Sequence, residues 1–328
     1  MTAPRPAIAC LGAGRMGRGI AVAFAYAGHP VTMIDLKARS APQFAKLEAD
    51  ALDEVRKTLG SLVRFGLLTD AGAQTVMTRL KVAPASHSAA ALAEASIVFE
   101  GVPEVVELKR QVLSAASKHV RSDALIASTT STILVDDLSG AVEEPGRFLN
   151  VHWLNPAYLI PLVEVSPGRA TAPAVVAQIR DLLEGIGKVP VVCAARPGFI
   201  VPRIQALAMN EAARMVEEGV ASAEDIDKAI RFGFGFRYAV LGLLEFIDWG
   251  GGDILYYASR YLEGALKSDR YRAPDVISRN MREGRIGLRT GAGFLDYSGL
   301  DIDAYREQRL LALVELLRHF GLARPPAL

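Results

Sequence analysis

Apolar residues fall along this chain in two rhythms, and the rhythm changes once. Short unbroken apolar runs at residues 7–11 and 31–35, with a helical pattern over 15–27 between them, predict a βαβ opening. Residues 42–79 are charged and carry apolar positions at heptad-like spacing (Leu47, Leu52, Val55, Leu59, Leu62, Val63). They predict a helical hairpin broken near Gly66 and Thr69-Asp70. Strands follow at 80–83, 96–100 and 124–128, alternating with helices at 88–94 and 107–119. Such alternation argues for a mostly parallel, doubly wound sheet. Strands at 147–152 and 160–166, a helix at 172–186 and a strand at 189–193 complete the first rhythm. Beyond Arg196-Pro197-Gly198 the period is helical: 199–218 (Ile204, Leu207, Ala208, Met215), 251–266 and 303–320, with Ser222 and Asp225 as a capping box. The expected organisation is α/β over residues 1–196, with the 42–79 hairpin as an insert, then an all-helical C-terminal domain over 197–328.

Composition narrows the function classes. A chain of 328 residues, 51% hydrophobic, buries a sizeable core. Thirty-seven basic against 36 acidic residues leave a net charge of +1, so no global basic field points to nucleic acid. Cys10 and Cys193 sit in apolar strand-like runs and read as buried free thiols, not as a disulfide or metal pair. No metal site is expected. No apolar run reaches membrane-spanning length, and the first residues lack the layout of a signal peptide. The expectation is a cytoplasmic protein acting on a small molecule, with neither nucleic acid nor membrane as partner.

The loop after the first strand reads Gly12-Ala-Gly14-Arg15-Met16-Gly17, a G-x-G-x-x-G between strand and helix. The first glycine permits the tight turn, the second lets the backbone approach a pyrophosphate, and the third lets helix and strand pack closely. Asp35 ends the next strand, where a carboxylate accepts hydrogen bonds from an adenosine ribose and repels a 2′-phosphate. Together these predict a Rossmann-type domain that binds NAD. Lys37, Arg39 and Ser40 follow closely and read either as a solvated loop or as cations and a hydroxyl that weaken the preference over NADP.

Chemistry concentrates in His152-Trp-Leu-Asn155-Pro156-Ala-Tyr-Leu-Ile-Pro161-Leu-Val-Glu164. A histidine takes a proton from an alcohol near neutral pH, and a carboxylate on its other ring nitrogen fixes the tautomer and stabilises the imidazolium. That pair suits oxidation of a hydroxyl while a nicotinamide accepts the hydride.

With these segments in hand, the chain resembles the L-3-hydroxyacyl-CoA dehydrogenase family. The resemblance rests on the GAGRMG loop, Phe99-Glu100-Gly101-Val-Pro-Glu104 with Lys109, Ser128-Thr-Thr-Ser131, the His152–Glu164 stretch, Pro197-Gly198-Phe199, and the segment from Gly284 to Tyr297 (GRIGLRTGAGFLDY). It implies His152 as base, Glu164 as its partner and Ser131 as donor to the substrate oxygen. It also implies Glu104, Lys109 and Asn155 near the cofactor. Read from the residues alone, Ser128, Thr129 and Thr130 offer neighbouring hydroxyls that cap a helix equally well. Lys109 reads equally as an exposed helix lysine paired with an acid.

Two departures bear on the substrate. Pro202 stands where the family usually has asparagine, removing a polar contact while remaining compatible with a helix's first turn. Gly235-Phe236-Arg237-Tyr238 resembles the branch acting on free hydroxy acids, such as the gulonate and carnitine dehydrogenases. Arg237 is then a candidate for the substrate carboxylate; its structural alternative is a buried ion pair with Glu245 or Asp248. The 284–297 tail resembles 3-hydroxybutyryl-CoA dehydrogenases instead. Lys46, Arg56, Lys57 and Arg64 lie where the family approaches CoA, or form a solvated helix face. The leading expectation is an L-3-hydroxyacyl-CoA dehydrogenase. The alternatives are a dehydrogenase of a free 3-hydroxy acid and a non-catalytic NAD-binding protein. The family resemblance and the apolar stretch 239–247 imply a homodimer.

Overall fold

A computed structural model describes residues 5–327. Contacts divide the chain into two compact units, Met1–Met209 and Asn210–Leu328. The first contains β1 (Ile8–Leu11), α1 (Arg15–Tyr26), β2 (Val31–Ile34), α2 (Ala41–Arg64), α3 (Asp70–Met77), β3 (Leu80–Ala83), α4 (Ser88–Glu94) and β4 (Ile97–Glu100). It continues with α5 (Val106–Ser117), β5 (Leu125–Ser128), α6 (Val135–Ser139), β6 (Phe148–Trp153), β7 (Leu162–Pro167), α7 (Pro173–Gly185) and β8 (Val189–Val192). Helix α8 (Val201–Glu217) carries the chain across this division.

One eight-stranded sheet runs β3-β2-β1-β4-β5-β6-β7-β8, doubly wound about β1. Strands β1, β4, β5 and β6 are buried along their whole length; β1, β4 and β5 read as short apolar runs, the last two ending in a polar residue, while β6 carries Asn150 and His152 within it. Helices cover both faces: α1, α2 and α7 enclose one apolar cluster, and α4, α5 and α6 enclose two more. Every neighbouring pair is parallel except β6–β7. Residues 154–161 connect that pair, and its register brings His152 opposite Glu164.

The insert is the expected hairpin. Ser40 and Gln43 form a capping box at the start of α2, and Ala51, Val55, Leu59 and Leu62 turn the apolar stripe inward. Its outer face neutralises itself: Lys46 pairs with Asp50 at 2.9 Å, and Lys57 with Asp53 at 2.9 Å and Glu54 at 3.2 Å.

The second unit is helical: α9 (Ala223–Ala229), a π-helical turn (Ile230–Gly235), α10 (Phe236–Tyr238), α11 (Leu243–Gly250), α12 (Gly252–Leu266), α13 (Asp275–Arg282) and α14 (Ile302–His319). Ser222 caps α9 by accepting from the Asp225 amide, as the sequence predicts. Asp248 on α11 is buried and organises the tail. It accepts from the amides of Phe294 (2.9 Å) and Leu295 (2.8 Å) and from the Tyr297 hydroxyl (3.2 Å). A Cβ on Gly293 would stand 2.0 Å from an Asp248 carboxylate oxygen, which explains the glycine. Cys10 and Cys193 are free thiols; burial pushes Cys10 up to about 12. Among the described residues no helix is long and apolar enough to cross a membrane, and no group of three His, Cys, Asp or Glu side chains converges.

Candidate active site

Antiparallel pairing of β6 with β7 places His152 directly opposite Glu164. The twelve-residue spacing is thus the length of one hairpin, folded so that both side chains leave the same face. His152 Nδ1 lies 2.7 Å from Glu164 Oε2, and both side chains are buried. The second carboxylate oxygen accepts from two backbone amides, Ile200 and Val201, each at 2.8 Å, where α8 begins. Burial alone would raise the Glu164 carboxyl. The bonds from His152, Val201 and Ile200 outweigh it and hold the group below the usual carboxylate range. With Nδ1 engaged by the carboxylate, the Nε2 position is the one left to exchange a proton.

Two residues before those amides the chain makes a sharp turn. Gly198 has φ +77° and Phe199 φ +45°, so a bulky residue sits in left-handed backbone at a cost of about 1–2 kcal/mol. The Phe199 ring is buried and stacks on the His152 imidazole, centroids 5.5 Å apart and planes 26° from parallel.

Ser131 lies just beyond the end of β5, whose Ser128 pairs with Asn150 on the His152 strand. The neighbouring hydroxyls are largely committed. Ser128 donates to Glu100 at 2.6 Å, Thr130 donates to Glu104, and Thr132 donates to Glu104 at 2.9 Å. Ser131 gives only its amide to Glu104, at 3.0 Å, and its side chain is exposed. Glu104 therefore clasps the 130–132 loop. Burial would raise its carboxyl, but the Thr130 and Thr132 hydroxyls, the Lys109 charge and the Thr132 amide bring it below the usual range.

Lys109 is not an exposed helix lysine. It is 1% exposed and donates to both Glu100 oxygens (2.9 and 3.1 Å) and to the Val102 carbonyl (3.1 Å), with Glu104 at 3.5 Å. A buried cation needs such a partner. Glu100, which sequence reasoning left without a role, is that partner; its place at the end of a fully apolar strand was the available signal. Lys188 was also missed: it is buried and donates to the carbonyls of Ala157 (2.7 Å) and Ile160 (2.8 Å), fastening the turn that carries Asn155.

Arg15 and Asn155 come together on a cavity of about 340 Å³ that Arg18, Thr58 and Tyr158 also line. Arg237, by contrast, is neither buried nor paired with Glu245 or Asp248. It is exposed; its Nε donates to the Gly233 carbonyl at 3.0 Å and its guanidinium lies 4.5 Å from the Phe246 ring centroid. Glu245 is occupied by Tyr305 and by Arg309 at 2.8 Å, and Asp248 by the 294–297 segment.

Comparison with known proteins places this arrangement. The sequence model of the 3-hydroxyacyl-CoA dehydrogenase NAD binding domain matches residues 7–196, and that of the 3-hydroxyacyl-CoA dehydrogenase C-terminal domain matches residues 198–297. The chain belongs to the 3-hydroxyacyl-CoA dehydrogenase family. Its members are NAD-dependent dehydrogenases acting on hydroxyl groups, and this chain is such an oxidoreductase. One relative, the 5-formyl-3-hydroxy-2-methylpyridine 4-carboxylate 5-dehydrogenase of Mesorhizobium japonicum, is 32% identical over 95% of this chain and 97% of its own. Another, a probable 3-hydroxybutyryl-CoA dehydrogenase of Deinococcus radiodurans, is 31% identical over 88% of this chain and 98% of its own. The solved 3-hydroxyacyl-CoA dehydrogenase of Archaeoglobus fulgidus has a TM-score of 0.75 at 31% identity, covering 97% of this chain and all of that one.

The dehydrogenase's first loop fits its cofactor. Gly12 has φ +105°, a conformation open to glycine. A Cβ on Gly17 would lie 2.0 Å from the Gly12 carbonyl oxygen, so strand and helix close only around glycine. Gly14 has open space where its Cβ would be, which is the room a pyrophosphate needs. Asp35 is 5% exposed, and Arg39 Nε already meets its carboxylate at 2.5 Å. The cation that sequence reading set beside Asp35 thus lies on it.

Proposed function

We propose that this dehydrogenase oxidises the 3-hydroxyl of an L-3-hydroxyacyl-CoA to the 3-oxo compound, reversibly, with His152 as the general base. The observation that carries the reading is the buried His152–Glu164 pair, 2.7 Å apart and fixed by strand register. His152 Nε2 accepts the hydroxyl proton, and the ionised Glu164 stabilises the positive charge that appears on the ring by accepting from Nδ1–H. Ser131 donates to the substrate oxygen as charge develops there, and Glu104 holds the loop from which it does so. Glu104, Lys109 and Asn155 border the cofactor, with Lys109 acting through Glu100 and Glu104. NAD, when bound, supplies the hydride acceptor. A positioned base of this kind contributes roughly 10²–10⁴ in rate. His152→Ala should lose that factor in turnover while NADH affinity stays nearly intact; near-full turnover in the variant would remove His152 as base.

A second reading, a free hydroxy acid as substrate, is favoured by two observations. Arg237 presents an exposed guanidinium without a carboxylate partner, stacked on Phe246 and with only its Nε engaged. The relative named for a pyridine carboxylate, matching 95% of the chain, points the same way. Two of the four cations named on α2, Lys46 and Lys57, pair with acids of the same helix, which leaves Arg56 and Arg64 to meet the phosphates of CoA in the first reading. NADH oxidation with acetoacetyl-CoA and free acetoacetate side by side separates the readings. Activity confined to the thioester supports the first; activity confined to the acid supports the second and makes Arg237 the residue to replace. Binding of NADH without reduction of any 3-oxo substrate in a broad panel would overturn both.

A further inference from the structure

We infer that Phe199 is a positioning residue for the dyad: its ring sets the plane of the His152 imidazole, and its left-handed backbone delivers the two amides that hold Glu164. This rests on the reading of His152 as base. Three observations converge on it. The ring stacks on the imidazole at 5.5 Å, nearly parallel, and is buried there. The backbone of Phe199 is left-handed, φ +45°, directly after the left-handed Gly198. The next two amides, Ile200 and Val201, both reach Glu164 Oε1 at 2.8 Å.

A glycine or asparagine would hold the same turn with less strain, so the backbone alone does not call for an aromatic side chain. What the ring adds is a flat surface on one face of the imidazole, which restricts rotation about χ2. The Nδ1–Oε2 bond fixes one edge of His152, and the stacked ring fixes its tilt. Both are needed to aim Nε2, because small errors in aim are costly: a misplacement of about 1 Å can lose ~10²-fold in rate. The same short segment thus orients the base through its side chain and the carboxylate through its backbone.

The test compares Phe199→Leu, which keeps apolar bulk, with Phe199→Tyr, which keeps the ring. Turnover is followed with acetoacetyl-CoA and acetoacetate in parallel, NADH affinity by fluorescence, and the His152 Nδ1 proton by ¹⁵N-resolved NMR, assigned by its absence in His152→Ala. Phe199→Leu should lower kcat roughly 10–100-fold with KM and NADH affinity little changed, and shift or broaden the Nδ1 signal. Phe199→Tyr should restore both. A Leu variant with wild-type kcat and an unmoved Nδ1 signal would overturn the proposal. So would equal losses in Leu and Tyr accompanied by a fall in Tm, which mark a packing role only. Full turnover in His152→Ala would instead defeat the dyad reading itself, so the two failures are distinguishable.

Discussion

We propose that one neighbour of Asp35 tunes the choice between NAD and NADP. The Asp35 carboxylate stands at the end of β2, where a ribose would hydrogen-bond it, yet Arg39 Nε meets it at 2.5 Å. The arginine draws on the negative charge that would repel a 2′-phosphate. Removing the cation, Arg39→Ala, should widen the NAD-over-NADP ratio of kcat/KM, and Asp35→Ala should weaken NAD binding and narrow it. Identical ratios in both variants and the parent would show that neither side chain faces the ribose. Glu164 makes a second residue-scale case, read in stability. Its carboxyl is held below the ordinary range by His152 and two amides, in the face of a desolvation that acts the other way. A group whose folded pKa is depressed contributes stability that is complete above its unfolded pKa and lost as pH falls through the folded value. Glu164→Gln should therefore be less stable at neutral pH and show a flatter decline across roughly pH 3–5. Denaturant melts of parent and variant over that window check it. Parallel curves would mean that the carboxylate is no better held in the fold than in the open chain; Glu104, depressed in the same direction, keeps some slope in both.

At the scale of elements, the tail from Gly284 to Tyr297 is built around one carboxylate. Asp248 takes two amides and a hydroxyl, and Gly293 lies so close that a methyl group would collide with it. Gly293→Ala should cost about 2–4 kcal/mol by breaking those buried bonds. Gly291→Ala, where φ is +74° but no atom lies within 4 Å, should cost only about 1 kcal/mol of backbone strain. Equal losses on chemical denaturation would show that Asp248 is not the anchor. What the sequence made legible here follows from locality. Short apolar runs marked the central strands, and a Gly-rich turn between strand and helix marked the cofactor loop. A histidine and a glutamate one hairpin apart marked the buried pair that the fold brings together. Less legible were features set by distant partners. Arg237 reads as the natural mate of Glu245 or Asp248 because they are near in sequence. Tyr305, Arg309 and the 294–297 segment, far along the chain, occupy both acids instead. Lys109 reads as a surface position on α5, but Glu100 at the end of β4 draws it inside. The π-helical turn at Ile230–Gly235 and the short helices α11 and α13 were missed for another reason: glycines and brief spans leave too few positions for a period to show.

For the whole molecule, the apolar surface of the second unit bears on assembly. Along α12, Ile254, Tyr257 and Tyr261 are 62%, 64% and 74% exposed and recur at three- and four-residue steps, so they share one face. Leu310 and Leu311 on α14 are each 53% exposed. The stretch 239–247 divides: Leu241 is buried and Leu244 is half exposed. A row of large apolar side chains on one helix face marks an interaction surface more often than a monomer's exterior. Two-fold pairing is the commonest way for identical chains to cover such a face. We propose a homodimer that uses α12. Sedimentation equilibrium at micromolar concentration should then report twice the 35.2 kDa chain mass. Tyr257→Glu with Tyr261→Glu should shift it to the monomer, because each introduced carboxylate would have to be desolvated in the interface without a partner. The unpaired chain should keep its NADH affinity, since Gly12, Gly14, Gly17 and Asp35 all lie in the first unit. A parent that sediments only as monomer would end the proposal, and a double variant that remains dimeric would move the contact off α12.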